Sequence, residues 1–298
     1  MNSPITSTLE QLPFSHWQPV IIGAPVIESF DTGLSHQVFK VSFATIERGE
    51  QKITPLFVAK HVANRETRHA EFDALQRAFQ CGVSVKPIYV DDNWLITEYF
   101  NGDCLESLDL DIEQKLEIAL SLVAKFHQSV KHGATSINLQ QVIDKLISKS
   151  GLSPKHQQLL STVTVEHLLP QPDCGNLVHG DVNFTNVLVN QADNTAKLID
   201  FEAASYASME YELGMMMSVN FIHPDTFFRV LKQSSYLCAL CPKKVTRNAI
   251  MSSIINVLWY FTHDHENGTQ VFKNTAFAQL EHLDLLTNEK YLLIKEMR

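Results

Sequence analysis

One stretch near the middle of the 298-residue chain joins a polar loop to two apolar runs. The loop, residues 179–186, reads His-Gly-Asp-Val-Asn-Phe-Thr-Asn and places Asp181 five residues before Asn186. In residues 187–199 two apolar runs flank a polar segment, a pattern that predicts a short hairpin. Because Asp200 directly follows the second run, the hairpin is expected to return Asp200 to the side of Asn186.

These polar side chains are the set that phosphoryl transfer from ATP requires. One carboxylate orients and deprotonates the attacking hydroxyl, while an amide oxygen and a second carboxylate hold the Mg²⁺ that neutralises the phosphates. The spacing of the loop, followed by an apolar-Asp-aromatic ending, is the signature pair of kinases. We therefore predict Asp181 as the catalytic base and Asn186 and Asp200 as metal ligands, with His179 organising the loop by hydrogen bonding.

The composition is that of a globular chain large enough for two lobes. A formal net charge of −9 argues against nucleic acid or an anionic membrane as the main partner. The N-terminus has no signal-peptide pattern, and no apolar run approaches the length of a membrane span. The five scattered cysteines favour a reduced, cytoplasmic protein, and the Cys238–Cys241 pair lacks a second pair at zinc-finger spacing.

The first hundred residues carry strand patterns. Residues 37–44 alternate polar and apolar side chains, as a half-buried strand does, and residues 56–60 form a second strand that ends at Lys60. Two more strands are predicted on either side of the turn at residues 91–93. Residues 1–100 are thus predicted to form a nucleotide-binding lobe.

A helix is predicted over residues 64–80, where Glu71, Leu75 and Phe79 recur every four positions and share one face. Gly82 closes this helix, because glycine tolerates the left-handed geometry found at helix C-termini.

Phosphate binding is expected from this helix and two preceding segments. A strand lysine held by a helix glutamate binds the phosphates in kinases, so Glu71 is the predicted partner of Lys60, with Glu66 as the alternative. Gly33 and Ser35 lie in the turn between the first two strands, where backbone N–H groups and a hydroxyl are expected to cradle phosphate.

A break at residues 101–103 ends the strand-rich part. Just before it, the segment with Glu98 and Phe100 is expected to pair its backbone with an adenine edge. Residues 101–298 are mainly helical and are predicted to form the catalytic and substrate lobe, which gives an α+β, bilobal fold. Predicted helices in this part cover residues 112–130, with an apolar face, and residues 139–149 and 154–169.

A late apolar segment, residues 254–261, contains Trp259 and Tyr260. Such a segment is typical of a core helix. The alternative is an aromatic wall that holds a cation through the ring quadrupole.

With these motifs, the chain resembles the aminoglycoside phosphotransferase and choline kinase superfamily over nearly its full length. Residues 179–186 match its catalytic loop, and Gly180 stands where protein kinases carry arginine. Residues 32–36, Thr-Gly-Leu-Ser-His, are similar to its Gly-Gly-Leu-Ser/Thr-Asn loop. Residues 200–202, Asp-Phe-Glu, resemble the corresponding stretch of choline-type and thiamine-type kinases, and Trp259 resembles the second tryptophan of the choline-kinase Trp-x-x-Trp segment.

The resemblance implies a protein-kinase-like fold and in-line transfer of the γ-phosphoryl group of ATP, with Mg²⁺, to a hydroxyl of a small alcohol. Lys60, supported by Glu71, would hold the phosphates, and Asp181 would accept the hydroxyl proton. Glu202 and Trp259 would help to bind a cationic alcohol such as choline, ethanolamine or thiamine, or an aminoglycoside.

Two other functions use related motifs. A protein kinase is disfavoured by Gly180, by Glu202 in place of the glycine of Asp-Phe-Gly, and by the absence of an Ala-Pro-Glu signal. A pseudokinase or binding module that holds a nucleotide or a partner without transfer stays open because of the unusual phosphate loop. The feature against it is the joint presence of four residues, Lys60, Asp181, Asn186 and Asp200. The sequence indicates neither the acceptor nor the oligomeric state.

Overall fold

The structure, a computed structural model, confirms the α+β class. The chain forms two compact units, one of Met1–Asp103 and Leu188–Glu202, the other of Cys104–Val187 and Ala203–Arg298. The first unit is rich in strands and the second is mainly helical. The described residues are 9–14, 23–30, 37–48, 51–62, 64–129, 133–134, 137–169, 174–267 and 270–297.

The strands are β1 (Val26–Ser29), β2 (Gln37–Ser42), β3 (Ile46–Arg48), β4 (Gln51–Ile53), β5 (Leu56–His61), β6 (Pro87–Val90), β7 (Trp94–Glu98), β8 (Asp103–Cys104), β9 (Gly133–Ala134), β10 (Cys174–Val178), β11 (Val187–Asn190), β12 (Thr195–Leu198) and β13 (Ser205–Ala207). The helices are α1 (Arg65–Gln80), α2 (Ile112–Ser129), α3 (Leu139–Lys149), α4 (Pro154–His167), α5 (Met209–Val219), α6 (Pro224–Leu231), α7 (Pro242–Asn267), α8 (Gln270–Leu286) and α9 (Leu293–Met297). Short 3₁₀ helices cover Leu105–Ser107, Phe184–Asn186 and Leu237–Ala239.

The first unit is built on an antiparallel sheet with the strand order β1-β2-β5-β7-β6. Successive side chains of a strand point to opposite faces, so Phe57 and Ala59 of β5 enter the apolar core of this sheet while Lys60 faces the other way. Lys60 is nevertheless buried, because α1 packs beside β6 and β7 on this unit. The strand pattern thus places a lysine where only a charged partner can satisfy it.

Helix α1 begins and ends as predicted. The side chain of Asn64 accepts a hydrogen bond from the Thr67 N–H at the start, and Gly82 follows the end with φ +69°. The predicted position of Phe79 was wrong, because this side chain is 41% exposed. At 3.6 residues per turn, eight residues rotate Phe79 about 80° away from Glu71, so a repeat of exactly four drifts off the buried face.

The predicted hairpin is present as β11 and β12. Its second strand is tied to the segment that follows α1: the N–H of Leu198 donates to the carbonyl of Val83 over 2.8 Å, and Lys197 Nζ donates to the carbonyl of Gly82 over 2.9 Å. These bonds explain why Leu188–Glu202 belongs to the first unit although it is distant from it in sequence.

The second unit is organised around α5 and α7. Helix α5 begins at the cap Ser208, whose side chain accepts from the Tyr211 N–H, and it lies close to α7 because Gly214 has no side chain. A Cβ at this position would lie 2.6 Å from the backbone nitrogen of Ala249. The predicted helices at 139–149 and 112–130 are present, the latter with its apolar face buried: Leu116, Ala119, Leu120, Val123 and Phe126.

Within the described part of the chain, no helix combines the length and the apolar character that crossing a membrane would require.

Candidate active site

A buried ion pair joins β5 to α1 in the first unit. Lys60 Nζ lies 3.0 Å from Oε1 and 3.1 Å from Oε2 of Glu71, and both residues are buried. Glu66, the alternative partner considered from the sequence, is exposed. The pair follows from the local folds, since Lys60 leaves its sheet on the face that α1 covers and Glu71 lies on the buried side of that helix.

The same ammonium contacts two further carboxylates at the end of the hairpin. Lys60 Nζ lies 2.5 Å from Asp200 Oδ1 and 3.3 Å from Glu202 Oε2. Asp200 has φ +63°, a left-handed conformation that few residues other than glycine adopt and that is concentrated at functional sites. The backbone is therefore bent so that Asp200 and Glu202 both reach Lys60.

This cluster of Lys60, Glu71, Asp200 and Glu202 has more carboxylates than ammonium groups. Burial alone would lower the pKa of Lys60, but the charges of Asp200, Glu71 and Glu202 outweigh it and raise the pKa. Burial raises the pKa of Glu71 to about 7, against the opposing charge of Lys60. Negative charge in excess makes the exposed edge of the cluster, at Asp200 and Glu202, attractive to a cation.

In the second unit, Asp181 and Asn186 form the two ends of one tight loop. Asn186 Nδ2 donates to Oδ2 of Asp181 over 3.0 Å and to its backbone carbonyl over 3.1 Å. These bonds turn the amide nitrogen of Asn186 toward Asp181, so its carbonyl oxygen, the atom that a magnesium ion would need, faces the other way. The N–H of Asp181 donates to Nδ1 of His179 over 3.2 Å, the loop-organising contact expected for this histidine.

A buried glutamate of α5 holds the start of this loop. Glu212 is fully buried and accepts from the N–H groups of His179, over 2.6 Å, and Gly180, over 2.9 Å. Its carboxylate also lies 3.4 Å from Nε2 of the buried His127. Burial would raise the pKa of Glu212, but the hydrogen bond and charge of His127, with the charge of His179 and the Gly180 N–H, lower it overall, so the carboxylate is ionised.

Gly180 is required by the geometry of the loop. It has φ +80°, and a Cβ there would lie 2.4 Å from the carbonyl oxygen of Ala203. No larger residue fits, so the place where protein kinases carry arginine is closed here by the backbone itself.

The negative charge of Asp181 contributes to the raised pKa values of two tyrosines in the second unit. Burial raises the pKa of Tyr260, and the negative charge of Asp181 raises it further. Tyr211 is buried, and burial, Glu212 and Asp181 together raise its pKa.

Trp259 is half-buried within an aromatic cluster of α7 and α8. Its ring stacks on His263 at 3.7 Å between centroids and meets Tyr260 and Phe272 edge-on at 5.2 and 6.0 Å. By contrast, the adjacent Leu258 is fully buried. The helix is thus a core helix along one side and carries partly accessible aromatic rings along another.

The remaining predicted site residues belong to the first unit. Glu98 is exposed and forms a surface ion pair with Lys86, while Phe100 is half-buried against Gly102. Gly33 and Ser35 lie outside the described residues. The nucleotide-binding role of all four stays a prediction.

Glu212 is a residue of the candidate site that sequence reasoning missed. Its signal is weak: it is a charged residue directly before the apolar run Leu213–Met217 in α5. A charge in a buried helix needs a partner, but the partners are 32 and 33 residues away in sequence.

Among the described residues, no three His, Cys, Asp or Glu side chains are grouped to hold a metal ion. Mg²⁺ is commonly bound by only one or two carboxylates together with substrate phosphates. Asp200 supplies a carboxylate and Asn186 an amide oxygen, both hard donors that suit this ion, so they stay the predicted ligands.

Comparison with known proteins gives a family match. The profile described as "Phosphotransferase enzyme family" matches residues 40–240. A comparison with curated protein sequences finds no match.

Solved structures with the same fold cover nearly the whole chain. A choline/ethanolamine kinase family protein from Mesorhizobium loti is 15% identical with a TM-score of 0.67, covering 98% of this chain and 99% of its own. Choline kinase LicA from Streptococcus pneumoniae is 13% identical with a TM-score of 0.66, covering 94% of this chain and 99% of its own. LicA has also been solved in complex with AMP. The GDP complex of aminoglycoside 2'-phosphotransferase-IIIa is 15% identical with a TM-score of 0.61, covering 97% of this chain and 100% of its own.

The geometry of Gly180 predicts that a larger side chain at this position lowers the free energy of unfolding. Gly180→Ala should destabilise the protein by roughly 1–3 kcal/mol, because it adds left-handed backbone strain to a clash with the Ala203 carbonyl. Gly23→Ala is the matched control, since Gly23 has φ +86° but nothing within 4 Å of an added Cβ. Urea unfolding of both variants separates strain from clash. Equal losses would show that the contact with Ala203 costs nothing.

Proposed function

Because the chain belongs to the phosphotransferase enzyme family, we propose that it is a kinase that transfers the γ-phosphoryl group of ATP to a hydroxyl of a small acceptor. The observation that carries this proposal is the buried ammonium of Lys60, held by Glu71 and facing Asp200. A lysine fixed by a helix glutamate is the device with which kinases bind phosphates. In this proposal the first unit binds the nucleotide, and the second supplies the base and binds the acceptor.

The chemistry assigned to the chain is positioning and proton transfer. Lys60 binds phosphate oxygens, and Glu71 holds the ammonium of Lys60 in place by accepting its hydrogen bond. Asp181 accepts the proton of the acceptor hydroxyl, in an orientation fixed by the amide N–H of Asn186. Glu212 keeps the loop in place by holding the N–H groups just before Asp181.

The proposed metal is Mg²⁺, with Asp200 and Asn186 as its protein ligands. A bound Mg²⁺ would neutralise the negative charge of the phosphates. Asp200 Oδ1 lies 2.5 Å from Lys60 Nζ, so binding of a cation by Asp200 would weaken its attraction for the ammonium and leave the ammonium available to phosphate.

The proposed acceptor is a small cationic alcohol such as choline, ethanolamine or thiamine. The support is the partly accessible ring of Trp259, which contacts the ring of Tyr260 at 5.2 Å between centroids; the negative charge of Asp181 adds to the raised pKa of Tyr260. An aromatic face beside a carboxylate attracts an ammonium group by charge and by cation–π contact, the latter worth about 0.5–2 kcal/mol. Glu202 was predicted to take part, and its contact with Lys60 leaves its charge partly neutralised. An aminoglycoside, which is also cationic, is the alternative acceptor.

A function without transfer is the second candidate, and one assay separates the two. The protein is incubated with ATP and Mg²⁺, and the ADP formed is measured with each candidate acceptor in turn: choline, ethanolamine, thiamine, aminoglycosides and neutral sugars. Nucleotide binding without release of ADP with any acceptor would favour the binding module.

Replacing the proposed base should stop turnover while leaving the nucleotide bound. Asp181→Asn should lower kcat by roughly 10²–10⁴, the usual contribution of general-base catalysis, with ATP affinity retained. Asp225→Asn, a change of a fully exposed aspartate in α6, is the control and should have no effect. Wild-type turnover by Asp181→Asn in the ADP assay would remove Asp181 from the mechanism.

Neutralising the partner of Lys60 should weaken nucleotide binding. In Glu71→Gln the ammonium keeps only Asp200 and Glu202 as charged partners, so it is drawn away from the phosphates, and the Kd for ATP should rise about tenfold. Glu66→Gln removes an exposed glutamate of the same helix and should leave the Kd unchanged. Calorimetric titration measures both, and equal affinities would contradict the proposed role.

Removing the ring of Trp259 should weaken binding of a cationic acceptor. Trp259→Ala should raise the KM of a cationic acceptor by about 2–30-fold and change kcat less, because the cation is remote from the reacting hydroxyl. Phe228→Ala, a half-buried ring of α6, is the control. A wild-type preference for neutral sugars in the same assay would exclude a cationic acceptor.

A further inference from the structure

The side chain of Asn220 holds the catalytic loop at a second place. Its Oδ1 accepts from the N–H of Phe184 over 2.8 Å, and its Nδ2 donates to the carbonyl of Val182 over 2.9 Å. Nδ2 also donates to the carbonyl of Met216, in the last turn of α5, over 2.8 Å. The amide thus uses its acceptor and both donors at once.

These contacts lie on the stretch that joins the two predicted catalytic side chains. Val182 follows Asp181 directly, and Phe184 begins the 3₁₀ turn that ends at Asn186. The turn is short and internally bonded, because the N–H of Asn183 donates to the carbonyl of Asp181 over 2.8 Å and the N–H of Asn186 to that of Asn183 over 2.8 Å. A shift of Val182 or Phe184 is therefore passed on to both ends of the loop.

The two side chains that hold the loop, Glu212 and Asn220, lie in α5 and at its C-cap. Glu212 holds the backbone before Asp181, and Asn220 holds the backbone after it. Asn220, the C-cap of α5, lies eight positions after Glu212, which is about 12 Å at 1.5 Å per residue. Helix α5 is itself fixed by its cap Ser208 and by its close approach to α7 at Gly214.

We propose that Asn220 is a positioning residue, which sets Asp181 and Asn186 in place by holding the backbone of Val182 and Phe184 between them. This inference rests on the proposed function. Asn220 does not act on substrate itself, and its effect passes through the loop. A displacement of about 1 Å in a catalytic group costs on the order of 10²-fold in rate, so the loss of this grip is expected in kcat.

The test compares two changes of one side chain. Asn220→Asp keeps the size and the acceptor for the Phe184 N–H but sets a carboxylate oxygen against the carbonyls of Val182 and Met216. Asn220→Ala removes all three bonds. Both should lower kcat by about 10–100-fold and change the KM for ATP less, because Asn186 is the only predicted nucleotide or metal ligand in this loop, whereas Lys60, Glu71 and Asp200 belong to the other unit.

The control is another amide side chain of the second unit. Asn248 is buried and donates to the carbonyl of Lys244 over 2.9 Å, within α7. Asn248→Ala should lower the free energy of unfolding without changing kcat. Hydrogen–deuterium exchange of the peptide that spans residues 180–187 should become faster in both Asn220 variants and stay unchanged in Asn248→Ala.

Four results would overturn the inference. They are a kcat of Asn220→Ala close to that of the wild type, an equal loss of kcat in Asn248→Ala, unchanged exchange of the loop peptide, and failure of both Asn220 variants to fold, which would assign the side chain to the fold alone. Absence of turnover by the wild-type protein with every acceptor would instead overturn the proposed function. The exchange measurement would then still decide whether Asn220 holds the loop.

Discussion

The carboxylate of Glu212 is cut off from water, so its charge must be satisfied entirely within the protein. It takes its partners from His127 and from the backbone N–H groups of His179 and Gly180. Because those N–H groups immediately precede Asp181, the need to satisfy one buried charge fixes where the loop begins. Gly180, one of these donors, has φ +80°, and a Cβ added there would lie 2.4 Å from the carbonyl oxygen of Ala203.

The first unit also buries a charged group, but the charges around that group do not balance. Burial of Lys60 between β5 and α1 calls for a negative partner, and Glu71 supplies it. Asp200 and Glu202 then add more negative charge than the ammonium can balance. An excess of carboxylates attracts cations, whereas the carboxylate of Glu212 has its donors within the protein. The difference fits the roles proposed for them, a site for a charged ligand in the first unit and a support for the loop in the second.

Much of the local structure was predictable because it depends on residues close in sequence. Helix α3 covers the residues predicted for it, and α1 begins at Asn64 and ends before Gly82 because their side-chain and backbone preferences are local. The prediction for Phe79 was wrong because a strict repeat of four was extended over more than two turns of a helix with 3.6 residues per turn. Residue spacing in a helix predicts a face only over a short distance.

The sequence by itself determined the types of the polar residues and their order: the loop with Asp181 and Asn186, the strand that ends at Lys60, and the hairpin before Asp200. It also indicated the superfamily, since those motifs are short and contiguous. Only the tertiary structure decided that Glu71 rather than Glu66 meets Lys60, and that Glu212 and Asn220 hold the loop. The reason is physical. A buried charge or amide is satisfied by whatever the fold brings within about 3 Å. The choice between Glu71 and Glu66 depends on which side of α1 is buried, and no local pattern encodes the loop partners of Glu212 and Asn220, which lie more than thirty residues away.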